Sequence, residues 1–278
     1  MLVGCTKAHE NNQEQNENNK IYYTTTDGQK LIPYNTEYAR FGAMLTSNTY
    51  ENGQGTLVFD DAVTFIGKEV FYKCSNLKSI IIPNSVTSIK DYAFENCSNL
   101  ASITIGNNIT SVNGNAFSGC SSLKNFKCKF ASEDERCIII DGTLNSFASA
   151  GLTEYTIPNN VTSIGEFAFY SCSNLMRVTI PDSVTSIGYH AFQFCSSLET
   201  ITIPENVVKL GEYAFARCEK LTNVYCKPTT PPTGGEYLFI HNAPERKIYV
   251  PTKSVSAYQT ASYWSDYANQ IEAYNFGN

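Results

Sequence analysis

Cys172-Ser-Asn-Leu-Met-Arg-Val-Thr-Ile-Pro-Asp-Ser-Val-Thr-Ser-Ile-Gly-Tyr-His-Ala-Phe192 is the stretch that decides the fold. It returns almost intact from Cys195, and earlier as Val86-Thr-Ser-Ile89, Ala93-Phe94 and Cys97. Its cysteines fall at 74, 97 and 120, then at 172, 195 and 218, and each triplet steps by 23 residues. A fixed period of this size marks a stacked array, in which each unit buries its apolar face only against its neighbours.

Within a unit the apolar positions are constant. In one they are Val86, Ile89, Ala93, Phe94, Cys97, Leu100, Ile103 and Ile105. Ile103 and Ile105 share a face by strand periodicity. Proline closes the strand at Pro83, Pro181 and Pro204, because it cannot donate to a ladder. The Ala-Phe-x-x-Cys segment suits one helical or 3-10 turn. Gly67, Gly165, Gly188 and Gly211 follow the Val-x-x-Ile segment, where a sharp bend is expected, while Asn113 and Lys90 depart from that rule. One coil cannot offset the entropy of ordering its own backbone, so the stack needs partners and caps.

The fold expectation is therefore mainly β with some α/β character: a solenoid of 23-residue units with a parallel strand ladder, short helical turns and two caps. Residues 56–229 form the array. The step from Cys120 to Cys172 is 52, so a long, irregular unit sits near 130–158, with the acidic run Glu133-Asp-Glu135 and a strand–turn–strand around Asp141-Gly142. Residues 21–55 read as an N-terminal cap, with Ile21 to Thr26 and Gln29 to Pro33 paired as a hairpin about Asp27-Gly28. A further turn falls at Asn52-Gly53. Residues 230–278 read as a C-terminal cap: a strand at Ile248-Tyr-Val-Pro251, then a partly helical segment bringing Tyr258, Tyr263, Trp264 and Tyr267 over the last coil.

Residues 1–20 differ in kind. Leu2-Val3-Gly4-Cys5 resembles a bacterial lipobox, in which the cysteine is lipidated; that reading requires an apolar segment longer than the four residues preceding Cys5 here. His9 to Lys20 is almost entirely Asn, Gln and Glu, the composition of a flexible tether.

Cys-Ser-x-Leu-x-x-Ile-x-Ile-Pro-x-Ser-Val-Thr-Ser-Ile-Gly-x-x-Ala-Phe, with the closing Ile248 to Trp264 segment, strongly resembles the BspA-like leucine-rich repeat proteins. The resemblance covers about 56–278. It implies a leucine-rich repeat solenoid on a bacterial cell surface, and an association with adhesion to host matrix or plasma proteins, or to other bacteria. No binding motif of that class carries over residue by residue.

The chain holds 20 basic against 26 acidic residues, which disfavours a nucleic-acid partner. No apolar run is long enough to span a bilayer, leaving a lipid on Cys5 as the expected membrane contact. The cysteines read as core thiols, since successive rungs stand about 4.8 Å apart and a disulfide needs Cβ atoms at about 3.5–4.5 Å. Cys137 alone has no repeat role. Zinc is not expected without a Cys-x-x-Cys pair. No nucleophile elbow, phosphate loop or His-Glu-x-x-His motif occurs, so neither a catalytic residue nor a cofactor is assigned. His190 aligns with Tyr92, Phe167 and Tyr213, as a packed or surface ring.

The outward strand positions are the candidate binding face. Strand alternation sets Ser79/Ile81, Ser102/Thr104, Asn125/Lys127, Arg177/Thr179, Thr200/Thr202 and Asn223/Tyr225 in one column. Such a column is either a solvated Ser/Thr ladder or a recognition face. In the second case Lys127, Arg177, Thr179, Thr200, Thr202, Asn223 and Tyr225 carry it, with Arg177 and Tyr225 as anchors. The expected partner is an extracellular protein; a carbohydrate stacked on Tyr225 or the cap aromatics, or a purely structural role, is the alternative.

Overall fold

The computed structural model describes residues 18–36 and 40–277. Cys5, His9 and most of the expected tether lie outside them. The chain winds into a stack of short parallel strands with very little helix, because each unit turns back before a helix can propagate. The long strand of each unit lies on one face. Leu77–Ile82, Ser102–Ile105 and Asn125–Lys127 form one parallel run. Glu154–Thr156, Arg177–Thr179, Thr200–Ile203, Asn223–Cys226, Lys247–Pro251 and Ile271–Tyr274 form a second. The Thr-Ser-Ile segments make a shorter parallel ladder on another side, as in Ser163–Ile164, Ser186–Ile187 and Lys209–Leu210.

The third side carries the Ala-Phe-x-x-Cys segments. They were expected as a helical or 3-10 turn, and one 3-10 turn forms at Gly114–Phe117. Elsewhere the backbone takes a different course. Alternate amides point along the solenoid axis and bond the next rung: His190 N to Glu212 O at 3.0 Å, Phe192 N to Ala214 O at 2.8 Å and Phe194 N to Ala216 O at 3.1 Å. Two residues per unit reach positive φ to allow this, and they are seldom glycine. One column holds Tyr92, Phe167, His190 and Tyr213, the other Asn96, Ser171, Phe194 and Arg217. Glycine is needed for another reason than the expected sharp bend. A Cβ on Gly188 would stand 2.7 Å from Glu166 N, and one on Gly211 2.4 Å from Tyr189 N. These glycines let one rung lie directly on the next.

The core is a ladder of identical groups. Phe169, Phe192, Phe215 and Phe239 stack at centroid distances of 4.7, 5.3 and 5.6 Å, and Phe71, Phe94 and Phe117 do so at 5.1 and 5.2 Å.

The N-terminal hairpin expected within 21–33 does not form. Lys20–Thr25 pairs antiparallel with Gln54–Phe59 on one edge and Leu77–Ile82 on the other, so both its edges are taken by non-local strands. Thr56 to Phe59, read as the start of the array, belongs to this antiparallel cap. Its hairpin joins Leu45–Glu51 to Gln54–Phe59 through Asn52 and Gly53, both at positive φ. At the other end Trp264 is fully buried, edge-on to Tyr258 at 4.9 Å, and donates from Nε1 to Pro232 O at 2.8 Å. The helical part of this cap is Val255–Thr260, followed by the 3-10 segment Ser265–Gln270.

The long unit is a hairpin of Cys137–Ile140 and Thr143–Phe147, turning at Asp141 and Gly142 with both φ positive. It separates the Asn125–Lys127 strand from the Glu154–Thr156 strand. On the turn side the rungs around it meet directly: a Cβ on Gly114 would come within 1.6 Å of Glu166 O.

Candidate functional site

Register fixes the outward face. Arg177 pairs with Thr200 and Thr200 with Asn223; Thr202 pairs with Tyr225 and Tyr225 with Tyr249. Ser102 and Thr104 likewise pair with Asn125 and Lys127. The single column read from the sequence is therefore two, because the long unit interrupts it. Lys127 belongs to the first sheet, in a groove of about 720 Å³ with Thr104, Asn107, Lys129 and Glu135. Arg177, Thr179, Thr200, Thr202 and Tyr225 lie together in the second, lining another groove of about 720 Å³ that also takes in Lys227. Asn223 lies in an adjoining depression of about 620 Å³ that shares Arg177, Thr200 and Tyr225.

The chemistry of the second groove is mixed. The Arg177 side chain is 60% exposed, and its Nε lies 3.7 Å from Glu154 Oε1. An exposed pair at that distance holds the guanidinium weakly and leaves it free to engage a ligand. Threonine hydroxyls floor the groove. At its far end Tyr225 stacks on Tyr249 at 5.0 Å, and Tyr274 stands edge-on to Tyr225 at 5.2 Å. Burial raises the Tyr225 phenol above its ordinary range, helped by Tyr249 and Tyr274. Tyr249, Tyr274 and Phe276, which packs on Tyr274 at 4.9 Å, were not singled out in the sequence. The tyrosine at 249 was legible as the position after Tyr225 in the repeat; the return of Tyr274 was not, since the last rung follows a helix.

The cysteines supply structure. All nine in the described residues are free, and all but the half-buried Cys128 are buried. Four of the regular thiols donate to the phenylalanine carbonyl of the preceding rung, among them Cys97 to Phe71 O at 2.9 Å, Cys120 to Phe94 O at 3.0 Å and Cys218 to Phe192 O at 3.2 Å, while Cys74 at the N-terminal end donates to Ile32 O at 3.5 Å. Burial pushes the Cys172, Cys218 and Cys226 thiols up to about 12. Cys137, which had no repeat role, is buried beside the Tyr155 hydroxyl at 3.2 Å. Among the described residues no group of His, Cys, Asp or Glu converges as a metal site would need. Glu133 and Asp134 are solvent-exposed, and Asp134 accepts from Ser132 Oγ and from the Arg136 amide. His190 lies in the turn-side aromatic column, between Phe167 and Tyr213.

A coil that repeats one aliphatic–phenyl–thiol set per rung, with parallel strands on one face, defines a leucine-rich repeat solenoid. The BspA type leucine-rich repeat region matches this chain in six copies, over residues 47–135 and 143–268, and the chain belongs to that family. Its structure is similar to that of a leucine-rich cell surface protein from Faecalibacterium prausnitzii A2-165, at 24% identity and a TM-score of 0.50, over 78% of this chain and 58% of that one. It also resembles leucine-rich repeat proteins from Eubacterium ventriosum (20% identity, TM-score 0.47, covering 69% and 64%) and Bacteroides ovatus (22%, 0.42, covering 74% and 62%). The chain thus spans less than two thirds of the length of each of these relatives. None of the curated proteins matches it significantly.

Proposed function

We propose that this chain is a non-catalytic recognition protein of a bacterial cell surface, tethered through a lipid on Cys5, whose repeat array binds an extracellular protein in the manner of an adhesin. The observation that carries the reading is the groove in which Arg177 and Tyr225 flank Thr179, Thr200 and Thr202. Arginine and tyrosine are the residues that dominate protein interfaces, and here rigid strands hold them. A parallel ladder also presents them at fixed spacing, which suits an extended surface better than a small substrate.

The test is a solid-phase screen of the protein against matrix proteins, plasma proteins and bacterial surface extracts. A captured ligand should be lost with Arg177→Ala/Tyr225→Ala and kept with Lys127→Ala, at unchanged melting temperature. Capture indifferent to the double variant removes the groove from the reading. Globomycin-sensitive labelling of the full-length protein with radioactive palmitate, lost in Cys5→Ala, tests the anchor.

One observation favours a second ligand class. Tyr225, Tyr249 and Tyr274 cluster at the groove's end, and aromatic surfaces stack on sugar rings. A glycan array separates the two readings, since a protein-only binder leaves it blank.

A further inference from the structure

A second surface lies on the turn side of the C-terminal rungs, away from the strand groove. Phe167, His190, Tyr213 and Tyr237 form a continuous stacked column, with centroid steps of 4.9, 4.9 and 5.1 Å. Tyr189 stands roughly perpendicular to Phe167, His190 and Tyr213, at centroid distances of 5.5, 3.7 and 6.4 Å, so it flanks the stack rather than joining it. Tyr189 and Tyr237 are 37% and 45% exposed. Positive φ at four successive rungs turns these rings outward; in a chain that merely needed the bend, Gly or Asn would suffice.

Carboxylates run beside the rings. Glu166, Glu212 and Glu236 are exposed, occupy equivalent places on their rungs, and form no ion pair among the described residues. The same side of the N-terminal rungs shows what such a place accepts. There Lys68 sits over the Tyr92 ring at 5.7 Å and pairs with Glu69 at 3.6 Å, so one ammonium serves a ring and a carboxylate together. At the margin of the C-terminal strip Arg217 covers the Phe194 ring at 5.4 Å. No described lysine or arginine covers Tyr189, Tyr213 or Tyr237.

We propose that this strip of Tyr189, Tyr213 and Tyr237 with Glu166, Glu212 and Glu236 docks an extended, lysine- or arginine-bearing segment of a partner protein. Charge complementarity selects the cation, and the exposed rings of Tyr189 and Tyr237 supply aromatic contact for it. Rungs about 5 Å apart place Glu166 and Glu212 about 10 Å apart, close to the span of three residues of an extended peptide. A sugar is the poorer fit, because Phe167, His190 and Tyr213 cover one another's faces and present edges. This surface is independent of the Arg177–Tyr225 groove.

The test uses the full chain and a fluorescent Lys-Ser-Pro repeat peptide, with its Glu-Ser-Pro counterpart as control. Two charge variants are compared: Glu166→Gln/Glu212→Gln/Glu236→Gln on the strip, and Glu154→Gln/Glu199→Gln/Glu219→Gln on the strand side, where Glu199 and Glu219 line the depression around Asn223 and Glu154 lies by Arg177. Both change net charge equally. The strip variant should weaken the lysine peptide about tenfold and the strand-side variant about twofold or less, and Tyr189→Ala/Tyr237→Ala, which leaves charge untouched, should weaken it about fivefold or more. Equal weakening by the two charge variants, a silent tyrosine variant, or binding of glycans instead of the peptide would overturn the proposal. Thermal melts show that each variant is folded before its binding is compared.

Discussion

The Cys195 thiol donates to the Phe169 carbonyl of the preceding rung at 3.1 Å, while the Cys172 amide of that rung reaches the same oxygen at 3.2 Å. The carbonyl thus uses both lone pairs, one within its coil and one between coils. This explains why the position is cysteine rather than alanine: it fills the core and also ties consecutive rungs.

Cys195→Ala should therefore cost about 1–2 kcal/mol, from lost volume and one lost bond, read as a lower urea midpoint at unchanged slope. The same packing predicts thiol reactivity. Alkylation of the native protein at neutral pH, followed by mass spectrometry, should modify Cys128 well before Cys172, Cys218 or Cys226, whose thiols burial pushes up to about 12. Early labelling of that column would mean an open core.

Rung contact predicts the glycine requirement. Gly211→Ala places a methyl 2.4 Å from the Tyr189 amide nitrogen and should cost about 2–4 kcal/mol. Gly28 has open space at its Cβ, so Gly28→Ala pays only for its positive φ and should cost about 1–2 kcal/mol. Chemical denaturation distinguishes them; equal losses would remove close approach as the cause.

His190 gives the fold a pH dependence. Burial lowers its imidazole below the ordinary value of 6.5, opposed by the hydrogen bond with Gln193 and by Glu212 and Glu166. The unfolded chain therefore takes up this proton at higher pH than the folded one. Stability is unaffected by this group well above pH 6.5 and declines as pH falls through 6.5 towards the folded value. His190→Phe continues the Phe167 and Tyr213 stack without a titrating group. Its melting temperature relative to wild type should rise between pH 7 and pH 5, and parallel profiles would contradict the assignment.

Arg246 anchors the C-terminal cap without a carboxylate. It is 4% exposed, donates to Phe239 O at 2.8 Å and to Gln270 Oε1, and lies between Phe239 and Tyr267 at 5.1 and 5.0 Å. A flat guanidinium can do this and an ammonium cannot. Arg246→Lys should cost about 3 kcal/mol, more than Arg246→Met, which leaves no buried charge. The reverse order in thermal unfolding would show that charge, not shape, matters here.

The stack was legible because identical apolar residues recur at 23 and because Ile103 and Ile105 alternate as strand residues do. The alignment of Arg177 with Thr200 was legible from the same register. Pairing over distance was not: Asp27-Gly28 looks like a hairpin turn, yet Lys20–Thr25 is claimed from both sides by strands far along the chain. The break between Lys127 and Arg177 follows from where the long unit inserts, which spacing alone does not reveal. The alignment of Phe167, His190 and Tyr213 was legible from the period, but their positive φ was hidden because those residue types rarely signal it, and so was the continuous stack they form with Tyr237.

Hydrogen–deuterium exchange of the full chain with its captured protein partner tests the central claim most directly. The account predicts protection concentrated at 177–179, 200–203 and 223–226, with little change at 125–127. Protection confined to the caps, or spread evenly along the rod, would contradict a recognition groove between Arg177 and Tyr225.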